Sequence, residues 1–188
     1  TCLWAWFALL LLLRVWIRKG GLWQVWGTLG QIPLGGITVL THLNPLAVAA
    51  HFILSMLLIA AGTSLFERRK PAVTHRPANQ LKRRLLANIH LGLVSVVIIV
   101  GTIVTGSGPN AGDISAPRFN IRFPTIAWIN ADLVFNLLAL TLYFSLVFVN
   151  NPVVCNRIFI FPALVIGQGG IGFITYFRGL HALLMWAH

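Results

Sequence analysis

Residues 35–66 read GGITVLTHLNPLAVAAHFILSMLLIAAGTSLF and contain no lysine, arginine, aspartate or glutamate. The part that follows Asn44 and Pro45 is long enough to cross the ~30 Å hydrocarbon layer of a bilayer as one helix. Comparable apolar runs recur along the chain. They predict membrane spans at 22–40, 46–66, 86–106, 124–149 and 155–177, with partial spans at 1–17 and from 180 onward.

The overall composition identifies lipid as the solvent of these runs. Of the 188 residues, 57% are apolar and only 9% are charged, and a soluble domain of this size cannot hide so much apolar surface. Lipid offers no partner for free backbone groups, so each span should be a helix. The sequence therefore predicts an all-α polytopic membrane protein. It opens at Thr1 without a methionine and stops at His188 within an apolar run, so we expect a chain incomplete at both ends, the interior of a longer protein.

The net charge of +11 is concentrated in one segment. Half of the basic residues lie between Arg68 and Arg84, whereas the loops around 41–45 and 107–123 have fewer. Lysine and arginine accumulate in this way on the cytoplasmic side of membrane proteins. We therefore expect the basic segment 67–85 to be cytoplasmic, with a phospholipid surface rather than a nucleic acid as its partner.

A short repeat places two histidines at equivalent positions. GGITVLT begins at Gly35 and is followed by His51, and GGIGFIT begins at Gly169 and is followed by His188. The two copies lie four predicted spans apart and should share one orientation, as in a parallel internal repeat. We therefore expect both histidines at the same depth, near the outer face.

Paired histidines in a helical membrane protein are candidate haem ligands, because neutral imidazole binds iron well. A hydrogen bond to a neighbouring helix is the simpler interpretation of either histidine alone. The remaining histidines have no counterpart in the repeat and are weaker candidates: His42, His75, His90 and His181.

Longer motifs point to one family. They are GGITVLTHLNPLAVAAHF at 35–52, GTIVTGSGPNAGD at 101–113, NADLVF at 130–135 and GQGGIGFITYF at 167–177. Together they closely resemble haem A synthase in its actinobacterial form, and the similarity extends across the entire chain.

The resemblance implies eight transmembrane helices in two pseudo-symmetric four-helix bundle halves. On that register the chain runs from the second helix to the start of the eighth. Residues 1–66 would be the remainder of the first half, 67–85 the basic linker, and 86–188 the second half with its last helix truncated.

The resemblance also implies a function, the oxidation of a ring methyl of haem o to the formyl of haem a for cytochrome oxidase, with haem b as cofactor. His51 and His188 match iron ligands of the substrate haem and the cofactor haem. Asn130 stands where the family has the ligand opposite His188, and an asparagine amide is a poor ligand for iron. On the outer side, Arg118, Arg122 and Arg178 are candidate partners of the haem propionates. Contact with lipid headgroups or solvent is the simpler interpretation of each arginine alone.

The family's catalytic glutamate would precede Thr1, so the chain leaves the catalytic residues unknown. The implied location is the plasma membrane of a bacterium. Beside haem o, haem a and the bilayer, candidate partners are haem O synthase, cytochrome oxidase assembly factors and further copies of the chain.

Two other functions fit the same residues. A membrane cytochrome with two b haems would use the same histidines for electron transfer and make no new pigment. A haem-free transporter or assembly scaffold would use them only as hydrogen-bonding groups between helices.

Overall fold

The computed structural model describes residues 21–68, 80–109, 115–147 and 152–178. These residues form helices and connecting turns and contain no strand. The helices are α1 (Gly21–Leu40), α2 (Pro45–Glu67), α3 (Gln80–Ser107), α4 (Phe123–Val147) and α5 (Pro152–Phe177). The partial spans predicted at 1–17 and from 180 onward lie outside the described residues.

Four helical segments are long and apolar enough to cross a membrane: Pro45–Glu67, Leu81–Ser107, Phe123–Leu146 and Ile160–Phe177. In the described part of the chain, Ala116 and Leu137 are the buried hydrophobic residues, whereas large apolar side chains on every helix are exposed. Such surfaces are stable when lipid covers them. The chain is an all-α polytopic membrane protein, as the composition predicts.

The predicted span 22–40 forms the helix α1 but is not among these four segments. The reason is its polar content, since Gln24, Thr28 and Gln31 lower its hydropathy. Two of these side chains bond to α2, so the helix carries polar groups that a neighbouring helix satisfies in part.

The chain divides into two compact units between Arg76 and Pro77. In the first unit, α1 and α2 form an antiparallel hairpin joined by a tight turn. His42 and Leu43 have positive φ angles of 52° and 59°, and the Leu43 amide donates to the Thr38 carbonyl at 2.9 Å. Asn44 then starts α2, because its side-chain oxygen accepts a hydrogen bond from the Leu46 amide at 3.0 Å.

In the second unit, α3, α4 and α5 are antiparallel neighbours. Contacts between α3 and α4 run in opposite chain order, from Gly101 against Asn130 to His90 against Thr141. Aromatic rings join α4 to α5: Trp128 lies edge-on to both Phe173 and Tyr176, with centroids 6.2 Å apart in each pair. The end of α3, the start of α4 and the end of α5 therefore lie at one end of this unit.

Candidate functional site

His51 lies in the second turn of α2 with its imidazole against the backbone of α1. A Cβ atom added to Gly35 would lie 3.3 Å from Cε1 and 3.7 Å from Nδ1 of the histidine. The glycine therefore provides the space that the ring occupies. The Nδ1 atom is enclosed and has no hydrogen-bond partner among the described residues, which is unusual for a buried polar atom.

A glutamine and a serine surround the backbone of His51. The Gln31 side-chain amide donates to Ser55 Oγ at 2.7 Å and, with a longer contact of 3.4 Å, to the His51 carbonyl. Ser55 Oγ in turn donates to the same carbonyl at 2.9 Å. The Gln31 amide therefore lies close to the backbone of His51.

The same face of α1 carries a second glutamine. Gln24 Nε2 donates to the Leu58 carbonyl of α2 at 3.0 Å. Both Gln24 Oε1 and Gln31 Oε1 are enclosed and unpaired in the part of the chain that the structure describes. This polar face was not predicted from the sequence. Its signal was the spacing of the two glutamines, seven residues apart and therefore on one side of a helix.

Asn130 is the corresponding candidate position in the second unit. Its Oδ1 is enclosed without a partner among the described residues, and a Cβ added to Gly101 of α3 would lie 3.8 Å from it. Each candidate ligand position thus faces a glycine of the helix before it. Gly35 of α1 faces His51, and Gly101 of α3 faces Asn130. The sequence analysis did not predict either glycine as a neighbour.

The candidate propionate partners lie at one end of the second unit. Arg118 follows α3 and donates from Nη2 to the Pro109 carbonyl at 3.0 Å. Arg122 directly precedes α4, and Arg178 directly follows α5; both are exposed. Asn130 lies two turns into α4 from this end. The antiparallel packing therefore brings the three cations to the end nearest Asn130.

His90 lies toward the other end of this unit and has a structural partner. Its Nε2 is 2.9 Å from Thr141 Oγ1. Thr141 uses its only hydroxyl proton to bond the Leu137 carbonyl at 2.7 Å, so the histidine must be the donor. Phe144 and Phe161 pack edge-on against the ring at 5.8 and 5.7 Å. His90 thus joins α3 to α4 by an interhelical hydrogen bond.

The described residues contain no cluster of three or more His, Cys, Asp or Glu side chains that would hold a bare metal ion. A haem needs fewer protein ligands, because the macrocycle itself supplies most of the iron coordination, and one or two axial side chains suffice. His51 is a suitable axial ligand by residue type. His188, the other predicted ligand, lies outside the described residues.

The chain matches no family model, no curated protein and no solved structure.

Proposed function

We propose that this chain forms haem-binding helices of a haem A synthase-like oxidoreductase, which oxidises a ring methyl of haem o to the formyl of haem a for cytochrome oxidase. The observation that supports this best is the environment of His51. An imidazole whose enclosed Nδ1 has no partner in the described part of the chain lies at a helix–helix contact in a membrane protein. Ionisable residues at such positions are costly and serve function by default.

The residues present fit a haem at His51, where Nε2 would be the iron ligand of the substrate haem. His188 would hold the cofactor haem b. When bound, the haem iron supplies the redox chemistry, and the chain's own groups set the axial ligation and the access of water. Asn130 does not fit as the second ligand of the cofactor, because its amide oxygen is a poor donor to iron.

The cations at the end of the second unit support an orientation in which the haem propionates point to the aqueous rim. Arg118 and Arg122 would pair with propionates at the aqueous rim, while the apolar ring lies between helices. The same end of the unit carries the aromatic rings of Phe123, Trp128 and Tyr176, which offer apolar surface beside the cations.

In this proposal the protein belongs to the plasma membrane of a bacterium, with segment 67–85 in the cytoplasm. Its immediate partners are haem o and haem a. Haem O synthase would deliver the substrate, and assembly factors of cytochrome oxidase would receive the product.

The test is extraction of the pigments from the full-length protein after co-expression with haem O synthase. Haem a supports the synthase, haem b alone supports the electron-transfer cytochrome, and no haem supports the scaffold or transporter. We expect His51→Asn to reduce haem o binding and haem a production. His42→Asn is the matched control, because His42 is an exposed histidine. Its backbone is left-handed, a conformation that asparagine tolerates. Equal losses in the two variants would contradict a role of His51 as ligand.

A further inference from the structure

The contact between α1 and α2 contains two unpaired atoms of complementary type. His51 Nδ1 and Gln31 Oε1 are both enclosed, and neither has a partner among the described residues. A ring nitrogen that carries a proton is a donor, whereas an amide oxygen accepts only. A protonated His51 Nδ1 would therefore be the donor that Gln31 Oε1 lacks, and Oε1 would be the acceptor that Nδ1 lacks.

The Gln31 side chain already reaches the backbone of His51. Gln31 Nε2 contacts the His51 carbonyl at 3.4 Å, a length at which a hydrogen bond is weak. That carbonyl has a better donor in Ser55 Oγ, at 2.9 Å. A rotation of the Gln31 amide therefore leaves the carbonyl satisfied. The rotation also gives up the 2.7 Å bond from Nε2 to Ser55 Oγ, and a bond between Oε1 and the Nδ1–H of His51 would replace it.

We propose that Gln31 is a positioning residue for His51, and that its Oε1 accepts a hydrogen bond from the Nδ1–H of the imidazole. This bond selects the tautomer protonated at Nδ1 and leaves the lone pair on Nε2. Histidine ligands of metals are commonly oriented in this way by an acceptor on their second nitrogen. The consequence for iron binding rests on the proposed function, whereas the tautomer itself does not.

Gly35 makes this arrangement sterically possible. Because it has no side chain, the Nδ1 edge of the ring can lie against α1, one helical turn beyond Gln31. A larger residue at position 35 would push the ring out of reach of the glutamine.

The experiment measures the tautomer of His51 in the haem-free, full-length protein in lipid nanodiscs. Histidine is labelled with ¹⁵N, the buffer is alkaline so that imidazole is neutral, and the His51 resonances are assigned by their loss in His51→Asn. We expect the Nδ1–H form to predominate. Gln31→Leu should reduce the ratio of the Nδ1–H to the Nε2–H form about fivefold, the effect of losing one ordinary hydrogen bond.

Gln24→Leu is the matched control. Gln24 lies on the same face of α1 and also donates to a carbonyl of α2, that of Leu58. Its Oε1, like that of Gln31, has no partner among the described residues. It should leave the His51 ratio unchanged. Gln31→Glu, which keeps an acceptor oxygen at the same place, should retain the Nδ1–H form.

An unchanged ratio in Gln31→Leu, or an equal change in Gln24→Leu, would overturn the proposal. Gln31→Met, of similar length and without an amide, replaces Gln31→Leu if that variant does not fold. Since no haem is present, the result is independent of whether the protein binds or oxidises haem. A protein that shows the coupling but yields no haem would refute the proposed function and leave the role of Gln31 standing.

Discussion

Asn130 and Gly101 form a contact whose chemistry depends on one side chain. Asparagine leaves there an enclosed oxygen that no described residue pairs, and an unsatisfied buried acceptor costs about 1–3 kcal/mol. The glycine opposite leaves space for a larger group. A histidine at position 130 would use this space.

If the full-length protein holds haem b as we propose, Asn130→His should convert its iron from high-spin to low-spin and tighten haem retention, because the iron would then have two imidazole ligands. His188→Ala should abolish cofactor binding in the second half of the protein. Absorption and electron paramagnetic resonance spectra of the purified protein measure both effects. A low-spin, bis-histidine spectrum already present in the unmodified protein, and lost on His181→Ala, would show that another ligand faces His188.

Gly101→Ala provides the steric control for this experiment. Beside Asn130 the added methyl would lie at an ordinary contact distance of 3.8 Å, so this single variant should fold and behave as the parent does. Beside a histidine the same methyl should crowd the ring, so Gly101→Ala combined with Asn130→His should lose the low-spin signal. Additive behaviour of the two substitutions would show that Gly101 does not accommodate the ligand.

Single residues were recognisable as candidate functional residues where the residue type alone is rare in a membrane span. A histidine within an apolar run stands out, so the sequence makes His51 a candidate ligand, and its role as a ligand stays a prediction. Gln31 and Ser55 were not, because polar residues that bond to a neighbouring helix have no signature until the pairing of the two helices is known. The partnership of His90 with Thr141 was hidden for the same reason, since hydrophobic periodicity does not encode interhelical register.

At the scale of elements, hydropathy located each helix but not each end. The span expected to start at 86 begins at Gln80, because glutamine, leucine, lysine and arginine are good helix formers even where they are too polar for lipid. α5 begins at Pro152, ahead of the expected residue 155, since proline is well suited to the first turn of a helix. The prediction of membrane spans therefore gave the apolar part of α3 and α5, and each of these two helices begins several residues earlier.

The close packing of α1 on α2 depends on Gly27. A Cβ atom there would collide with Leu58 Cδ2 and lie 3.4 Å from its Cγ. Leu58 must move to admit the methyl group. We therefore expect Gly27→Ala to lack the gain of about 1 kcal/mol that alanine gives over glycine within a helix at an unobstructed position. Gly36→Ala is the control, because Gly36 is exposed and a Cβ there has no neighbour within 4 Å. Thermal unfolding in detergent measures both, and equal stability of the two variants would contradict the close approach at Gly27.

The hydrogen bond between α3 and α4 gives a second prediction at this scale. Thr141→Val should cost about 0.6–2 kcal/mol, because it leaves the His90 donor unpaired within the membrane. A double-mutant cycle with His90→Leu should show coupling of similar size. Thr102→Val is the control, since Thr102 is also buried but its hydroxyl bonds the Ile99 carbonyl of its own helix. Coupling of His90 to Thr102 as large as that to Thr141 would refute the assignment.

For the molecule as a whole, the distribution of charge and of apolar surface determines its orientation in the bilayer. Lys82, Arg83 and Arg84 lie in the first turns of α3, where the helix dipole disfavours positive charge. Nearby negative charge stabilises cations at such a position, and we expect anionic lipid headgroups to supply it for Lys82 and Arg84. At the other end of the same helix the chain enters a loop that reaches Arg118 and Arg122.

The length of α3 makes this orientation testable. Its 28 residues span about 42 Å, enough to cross the hydrocarbon layer and both interfaces. We expect the start of α3 and the loop at 115–122 to face opposite sides of the membrane, with the basic end inside.

In a protein whose Cys2 and Cys155 are replaced by serine, Leu81→Cys and Pro117→Cys supply one reactive thiol each, at two exposed positions. A membrane-impermeant maleimide added to spheroplasts should label the cysteine at 117 and spare the one at 81, and inverted vesicles should give the reverse. Labelling of both thiols from the same side would refute the crossing of α3. The reverse pattern would place the basic segment outside, and the cations proposed to pair with propionates would then face the cytoplasm.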